Sequence, residues 1–133
     1  MEFVEEIADN GKTLAYIIRR ELNPEKTTFP TPPDSNLQVG FVVYPAGGDI
    51  ARHVHRPLER HIVGTSEVLV VRKGYCEVDI YNEEWQLIVT RVLQEDDILV
   101  LVCGGHAFRM LEDTVLLEVK QGPYTGLDEK ERF

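Results

Sequence analysis

The residues with the clearest chemical potential are two histidines separated by a single residue, His53 and His55, which follow the glycine pair Gly47 and Gly48. In a β-strand, residues i and i+2 point to the same face, so a strand over residues 50–55 would present two imidazoles side by side. Imidazole nitrogen is a common ligand of zinc and other first-row metals. The pair therefore predicts half of a metal site.

A carboxylate and a third histidine occur at places that could complete such a site. Glu67 begins an apolar segment, and His106 follows a Gly-Gly turn, so each lies at the start of a predicted strand. Carboxylate oxygen and imidazole nitrogen together suit a first-row divalent metal. Glu59, four residues after His55, is the alternative carboxylate ligand.

These residues require a β-sheet framework to position them, and the hydrophobic pattern predicts one. Short segments of alternating or continuous apolar residues are separated by Gly, Asn, Asp and Pro turn signals, which indicates a sandwich, jelly roll or barrel without a helix. The predicted strands are 3–8, 13–19, 37–44, 50–55, 67–72, 75–81, 85–93, 98–102, 106–111 and 114–120, with further short strands near Phe29 and at 60–63.

Length and composition bound the protein class. The chain has 133 residues, which fits one domain, divided into an N-terminal hairpin and Pro-rich arm (1–36), a barrel core (37–120) and a tail (121–133). The net charge of −9 argues against nucleic acid or an anionic membrane as partner. Two cysteines and the absence of a leader or a membrane-length apolar run predict a cytoplasmic protein.

Two motifs resemble those of the cupin superfamily. Gly47 and the His-x-His pair, followed by Glu67, six residues and Gly74, resemble the first cupin motif. The segment 96–106, with an acidic start, an apolar strand, a glycine turn and His106, resembles the second. The chain departs from the pattern in the eleven residues between His55 and Glu67, in Asp96 where the family has glycine, in Val102 where it has proline, and in a turn one residue short.

The resemblance implies a double-stranded β-helix, or jelly-roll barrel, that holds a divalent metal ion (zinc, iron, manganese or nickel). It implies His53, His55, Glu67 and His106 as the ligands, with Glu59 as the alternative to Glu67. Such a ligand set leaves one or two coordination positions for water or substrate.

The function expected on this basis is a metal-binding cupin that acts on a small polar metabolite, for example as a carbohydrate or sugar-phosphate isomerase. A non-catalytic small-molecule-binding barrel and a non-haem metal dioxygenase are the alternatives. Candidate substrate-binding residues are Arg52, Arg60, His61 and Phe108. No second carboxylate is recognisable inside the barrel, which keeps the non-catalytic alternative open.

A homodimer is expected from the strand that begins at Glu67. Val68 and Val70 lie on the face opposite to Leu69 and Val71, and both faces are apolar. Because only one face can fill the barrel, the other requires a second sheet or a partner subunit.

Overall fold

The computed structural model describes residues 1–124 and 126–133, with side chains at all of these except 127 and 128. Thr125 and those two side chains, which fall in the predicted tail, lie outside the described part. Within it, eight strands form a five-stranded antiparallel sheet of order β1-β2-β6-β3-β8 and a three-stranded antiparallel sheet of order β5-β4-β7. The strands are β1 Val4–Asp9, β2 Lys12–Ile18, β3 Glu67–Lys73, β4 Cys76–Tyr81, β5 Leu87–Leu93, β6 Ile98–Leu101, β7 Gly105–Met110 and β8 Val115–Lys120.

The all-β prediction is confirmed, and eight of the ten predicted strands are present with their bounds shifted by at most two residues. A short 3₁₀ helix, Gly126–Glu129, follows the last strand. The described residues form no helix that is long and apolar enough to cross a membrane.

The core between the two sheets is built by alternation along the strands. Leu69 and Val71 of β3 face Val78 and Ile80 of β4 across it, and all four are almost fully buried. β6 is buried on both faces as predicted, because Leu99 belongs to this core while Val100 packs on the outer side.

Residues 37–44, which follow the Pro-rich arm, cover part of the outer face of the larger sheet. Val39 and Phe41 pack there against Tyr16, Ile18 and Val100. An isolated bridge between Thr28 and Phe41, rather than a ladder of hydrogen bonds, joins this segment to the arm. A segment predicted as a strand of the barrel core is therefore an irregular cover.

Two strand predictions are wrong, as is the shorter one at 60–63. Residues 37–44 form no strand beyond that isolated bridge, and residues 50–55 have no ladder partner. The sheets also do not close into a barrel; they form an open sandwich. The physical reason is that a strand needs a hydrogen-bonding neighbour along its length. The described residues of one chain provide a single bridge for 37–44, at Phe41, and none for 50–55.

The sandwich is closed along one side and open along the other. On the β1–β5 side, Arg91 of β5 pairs with Glu5 of β1 at 2.8 Å, and Arg19 donates to the carbonyl of Val92 at 2.6 Å. On the opposite side, β7 and β8 are terminal strands of their sheets, and no described strand lies next to either free edge.

A buried carboxylate joins the N-terminal hairpin to the turn before β6. Asp97 is 2% exposed and accepts hydrogen bonds from Arg19 Nη1 (3.1 Å), the amide of Arg20 (2.9 Å) and the amide of Gln94 (2.8 Å). Three donors compensate the desolvation of the charge, and one of them is a cation.

Replacing Asp97 by alanine should lower the free energy of unfolding by about 3 kcal/mol, since it strands a partly buried guanidinium and two amides. Urea unfolding measures this loss. Glu95→Ala, at an exposed position of the same turn, is the matched control and should change stability by less than about 0.5 kcal/mol. Equal effects of the two substitutions would contradict the structural role of Asp97.

Candidate functional site

The two neighbouring histidines lie in an exposed arm, defined here as residues 44–65. All residues of the arm are exposed, and it runs without a turn or bend from residue 48 to residue 63. The imidazole centroids of His53 and His55 are 5.2 Å apart, and His53 Nδ1 lies 2.9 Å from the carbonyl oxygen of Ala51. The predicted side-by-side imidazoles are therefore present, on an extended segment rather than on a strand.

A cleft of about 1570 Å³ lies at the end of the sandwich where β3 and β7 begin, and of the arm only the last residues, 63–65, are in its lining. Glu67 of β3 and His106 of β7 both line it, so residues from the two different sheets meet there. The cleft is also lined by Tyr16, Tyr81, Trp85, Val102, Cys103 and the C-terminal segment 129–133.

A second carboxylate, Glu118 of β8, lies next to Glu67 in the strand pairing. Glu67 has the same orientation as the buried Leu69, and Glu118 lies directly opposite Leu69 in the strand pairing, so both carboxylates face inward. Glu67 and Glu118 are therefore diagonal neighbours on the inner face of the β3–β8 pair.

Surrounding protein raises the pKa of Glu67 to about 7, chiefly by desolvation and further by the hydrogen bond and charge of Glu118. The positive charges of Lys120 and Lys130 oppose this rise. Glu67 therefore titrates near neutral pH.

His106 approaches the same carboxylates from the other sheet. It lies opposite Ile80 in the β4–β7 pairing, and its ring contacts Phe108 at 5.8 Å between centroids, so it faces inward while staying accessible from the cleft. Desolvation lowers the pKa of His106, and the charge of Glu118 opposes that shift. A neutral imidazole and a carboxyl pair thus face one space.

The four predicted metal ligands do not form one centre within a single chain. Among the described residues, no three His, Cys, Asp or Glu side chains are grouped closely enough to hold a metal ion. Glu67 and His106 share the cleft, whereas His53 and His55 lie together on the arm. The donor set of one chain therefore does not fit a four-ligand site, and the divalent metal stays a prediction.

The other predicted site residues are divided in the same way. Glu59, Arg52, Arg60 and His61 are exposed on the arm. Phe108 packs against the inter-sheet core beside His106, so it is the one substrate-binding candidate that the fold brings to the site.

Glu118 is the functional residue that the sequence analysis missed. Its strand alternates between Val115, Leu117 and Val119 on one face and Leu116, Glu118 and Lys120 on the other. The apolar face draws attention as a core face, yet it points outward and is about half exposed. The signal that could have identified Glu118 is a carboxylate flanked by valines and leucines in a strand paired with the Glu67 strand.

The C-terminal segment closes one end of the cleft. The Phe133 ring stacks on Trp85 at 5.0 Å and meets Tyr81 edge-on at 5.0 Å. A side chain at Gly105 would stand 2.7 Å from the Phe133 ring, so glycine is what lets this ring lie against the start of β7.

Comparisons with protein-family models, with curated proteins and with solved structures gave no match. The chemistry of the site is therefore argued from its own residues.

Stability should fall as pH rises, because of Glu67. An acid whose folded pKa of about 7 lies above its reference value of 4.5 stabilises the fold below pH 4.5, and this contribution is lost as pH rises through 7. Glu67→Gln removes the effect, so urea unfolding should show a smaller loss of stability between about pH 5 and about pH 8 than in wild type.

Glu112→Gln, at an exposed position beyond β7, is the control and should keep the wild-type difference. The pKa of His106 is lowered in wild type and in both variants. Its contribution to the pH dependence therefore cancels to first order when the stability losses of the three proteins are compared. An unchanged pH dependence in Glu67→Gln would show that Glu67 is ionised in the folded protein at every pH tested.

Proposed function

We propose that the cleft is the active site of an enzyme that moves protons on a small polar carbonyl compound, as in the isomerisation of a carbohydrate. The observation that carries this proposal is the pair of neighbouring, inward-facing carboxyl groups Glu67 and Glu118, of which Glu67 lines the cleft together with His106 of the other sheet. A second carboxylate in the site is the feature that would favour an enzyme over a non-catalytic binding protein. Glu118 is such a carboxylate.

Each residue has a role in such a reaction. The ionised member of the carboxyl pair removes a proton from the hydroxyl-bearing carbon next to the carbonyl, and the protonated member returns one to the former carbonyl carbon. The proton of the adjacent hydroxyl group passes to the former carbonyl oxygen, so that the C=O and C–OH groups exchange places. The neutral ring of His106 donates a hydrogen bond to the carbonyl oxygen as negative charge develops on it. The reaction consumes no net proton, because the pair ends with the proton that it had at the start.

The cleft suits a small substrate. Its volume of about 1570 Å³ is ample for a metabolite with its hydration water, and aromatic rings at Tyr81, Trp85 and Phe133 can pack against the apolar face of a sugar. A metal ion at this centre would need donors beyond those that one chain brings together, so no step is assigned to it.

The test is deuterium incorporation from D₂O into a panel of small aldoses, ketoses and their phosphates, followed by proton NMR. Wild-type protein should exchange the proton next to the carbonyl of at least one compound. Glu118→Gln and Glu67→Gln should each slow the exchange by about 10²-fold or more, the usual contribution of a general acid or base. Glu112→Gln should retain the wild-type rate.

Circular dichroism shows whether each variant keeps its sheet structure. Two outcomes would contradict the proposal: no exchange with any compound of the panel, or glutamine variants that exchange as fast as wild type.

A further inference from the structure

The starting observation is a segment of chain that has the composition of a strand but no partner. In the extended arm, even-numbered positions alternate between large apolar residues and arginine, and these are Ile50, Arg52, Val54, Arg56, Leu58, Arg60 and Ile62. Val54 is 86% exposed and Leu58 is 69% exposed. An extended segment of this kind also has unpaired backbone N–H and C=O groups, which call for a neighbouring strand.

The second observation is the open side of the sandwich. β7 and β8 are terminal strands whose free backbone edges have no strand beside them in the described residues. On the outer face of β8, Val115, Leu117 and Val119 are each about half exposed. An exposed apolar edge is a template for pairing with another segment of chain.

The arm of the same chain does not fill this side. No backbone hydrogen bond joins residues 49–65 to the described residues of either sheet. The arm departs from the body near Tyr44 and returns at Ser66, whose amide is held by the Gln121 side chain at 2.9 Å. The backbone of the arm and the open edges thus both lack a neighbouring strand among the described residues of one chain.

We propose that two copies of the chain exchange arms, so that residues 50–55 of one copy pair as a strand with the free edge of β7 in the other. The lengths match, because β7 and the segment 50–55 each have six residues. Charge favours the same partner: the arm has three arginines against one aspartate and one glutamate, whereas the whole chain has a net charge of −9.

The exchange would also complete the site. His106 faces the cleft from β7, and a strand added next to β7 with its odd-numbered residues inward would place His53 and His55 of the second copy beside it. Only the completion of the site by His53 and His55 rests on the proposed function. The exchange of arms rests on the unpaired arm and the open edges. A reciprocal exchange gives a twofold-symmetric dimer in which each copy completes the cleft of the other.

Proline substitutions in the arm test the pairing. Successive amides of a strand point to opposite sides, so the amides of residues 51 and 54 point in opposite directions. Only one of them donates to β7, and either Ala51→Pro or Val54→Pro therefore removes a hydrogen-bond donor that the ladder needs. Both positions are exposed and irregular in a single copy, so the fold of the body should not change. Light scattering across a dilution series should show a dimer whose dissociation constant rises about tenfold or more in the disruptive variant.

Ala51→Thr and Val54→Thr are the matched controls, because they keep the N–H group and the β-branched preference for strands. They should leave the dimer intact. A wild-type monomer at high concentration, or a dimer that tolerates both prolines, would overturn the proposal.

Crosslinking decides whether the arm crosses between copies. A double variant carries Val54→Cys and Ala107→Cys in one chain and is treated with a short bismaleimide. Each single variant is the control for crosslinks that form through the native Cys76 or Cys103. The exchange predicts a covalent dimer on a denaturing gel. An internally crosslinked monomer, or no link at all, would overturn it.

None of these readouts uses turnover. If the protein forms the crosslinked dimer but does not exchange deuterium into any substrate, the proposed reaction is wrong and the proposed pairing of the arm with β7 of a second copy is retained. A protein that exchanges deuterium as a monomer refutes the exchanged arms alone.

Discussion

The free backbone edges of β7 and β8 are the constraint on which the rest of the molecule depends. Each buried or half-buried peptide group needs a hydrogen-bond partner, and in a sheet that partner is the next strand. The β1–β5 side satisfies this need with side chains, through Arg91 on Glu5 and Arg19 on the Val92 carbonyl. The β7–β8 side has no comparable pair of side-chain contacts among the described residues.

The chemistry of the site depends on where these strands begin and end. Glu67 and Glu118 face inward near the end of the sandwich, because burying two carboxylates within the apolar core would be costly. Glu67 and His106 line the cleft from different sheets, and the neighbouring Glu118 raises the pKa of Glu67 and opposes the lowering of the pKa of His106. Titratable groups of β3, β7 and β8 thus lie close together at this end of the sandwich.

Most of the fold could be predicted from the sequence, because local patterns determine most of its strands. Val78 and Ile80 alternate with polar residues in β4, and the hairpin of β1 and β2 follows from its Asn-Gly turn. The segments 37–44 and 50–55 show equally good alternation, yet neither forms a ladder. Alternation reports that a segment suits a sheet; whether an edge is available to it depends on contacts distant in sequence, or in another chain.

The candidate site was predictable only in part for related reasons. Glu67 and His106 were found by their positions at strand starts, and both line the cleft. Glu118 was missed because it lies among valines and leucines, and its inward orientation follows from its register with Leu69, which no single strand reveals. His53 and His55 are adjacent as expected, but their distance from the cleft depends on where the arm lies.

The most direct measurement is amide hydrogen exchange of the arm and of β7 as a function of protein concentration. If the open edge is filled by a second copy, peptides that contain residues 50–55 and residues 105–110 should become protected together as concentration rises through the dimer range, while β2 stays protected throughout. If the arm exchanges at the rate of an unstructured peptide at every concentration, including those at which the protein is dimeric, the edge of β7 is not where the arm binds and the central claim is wrong.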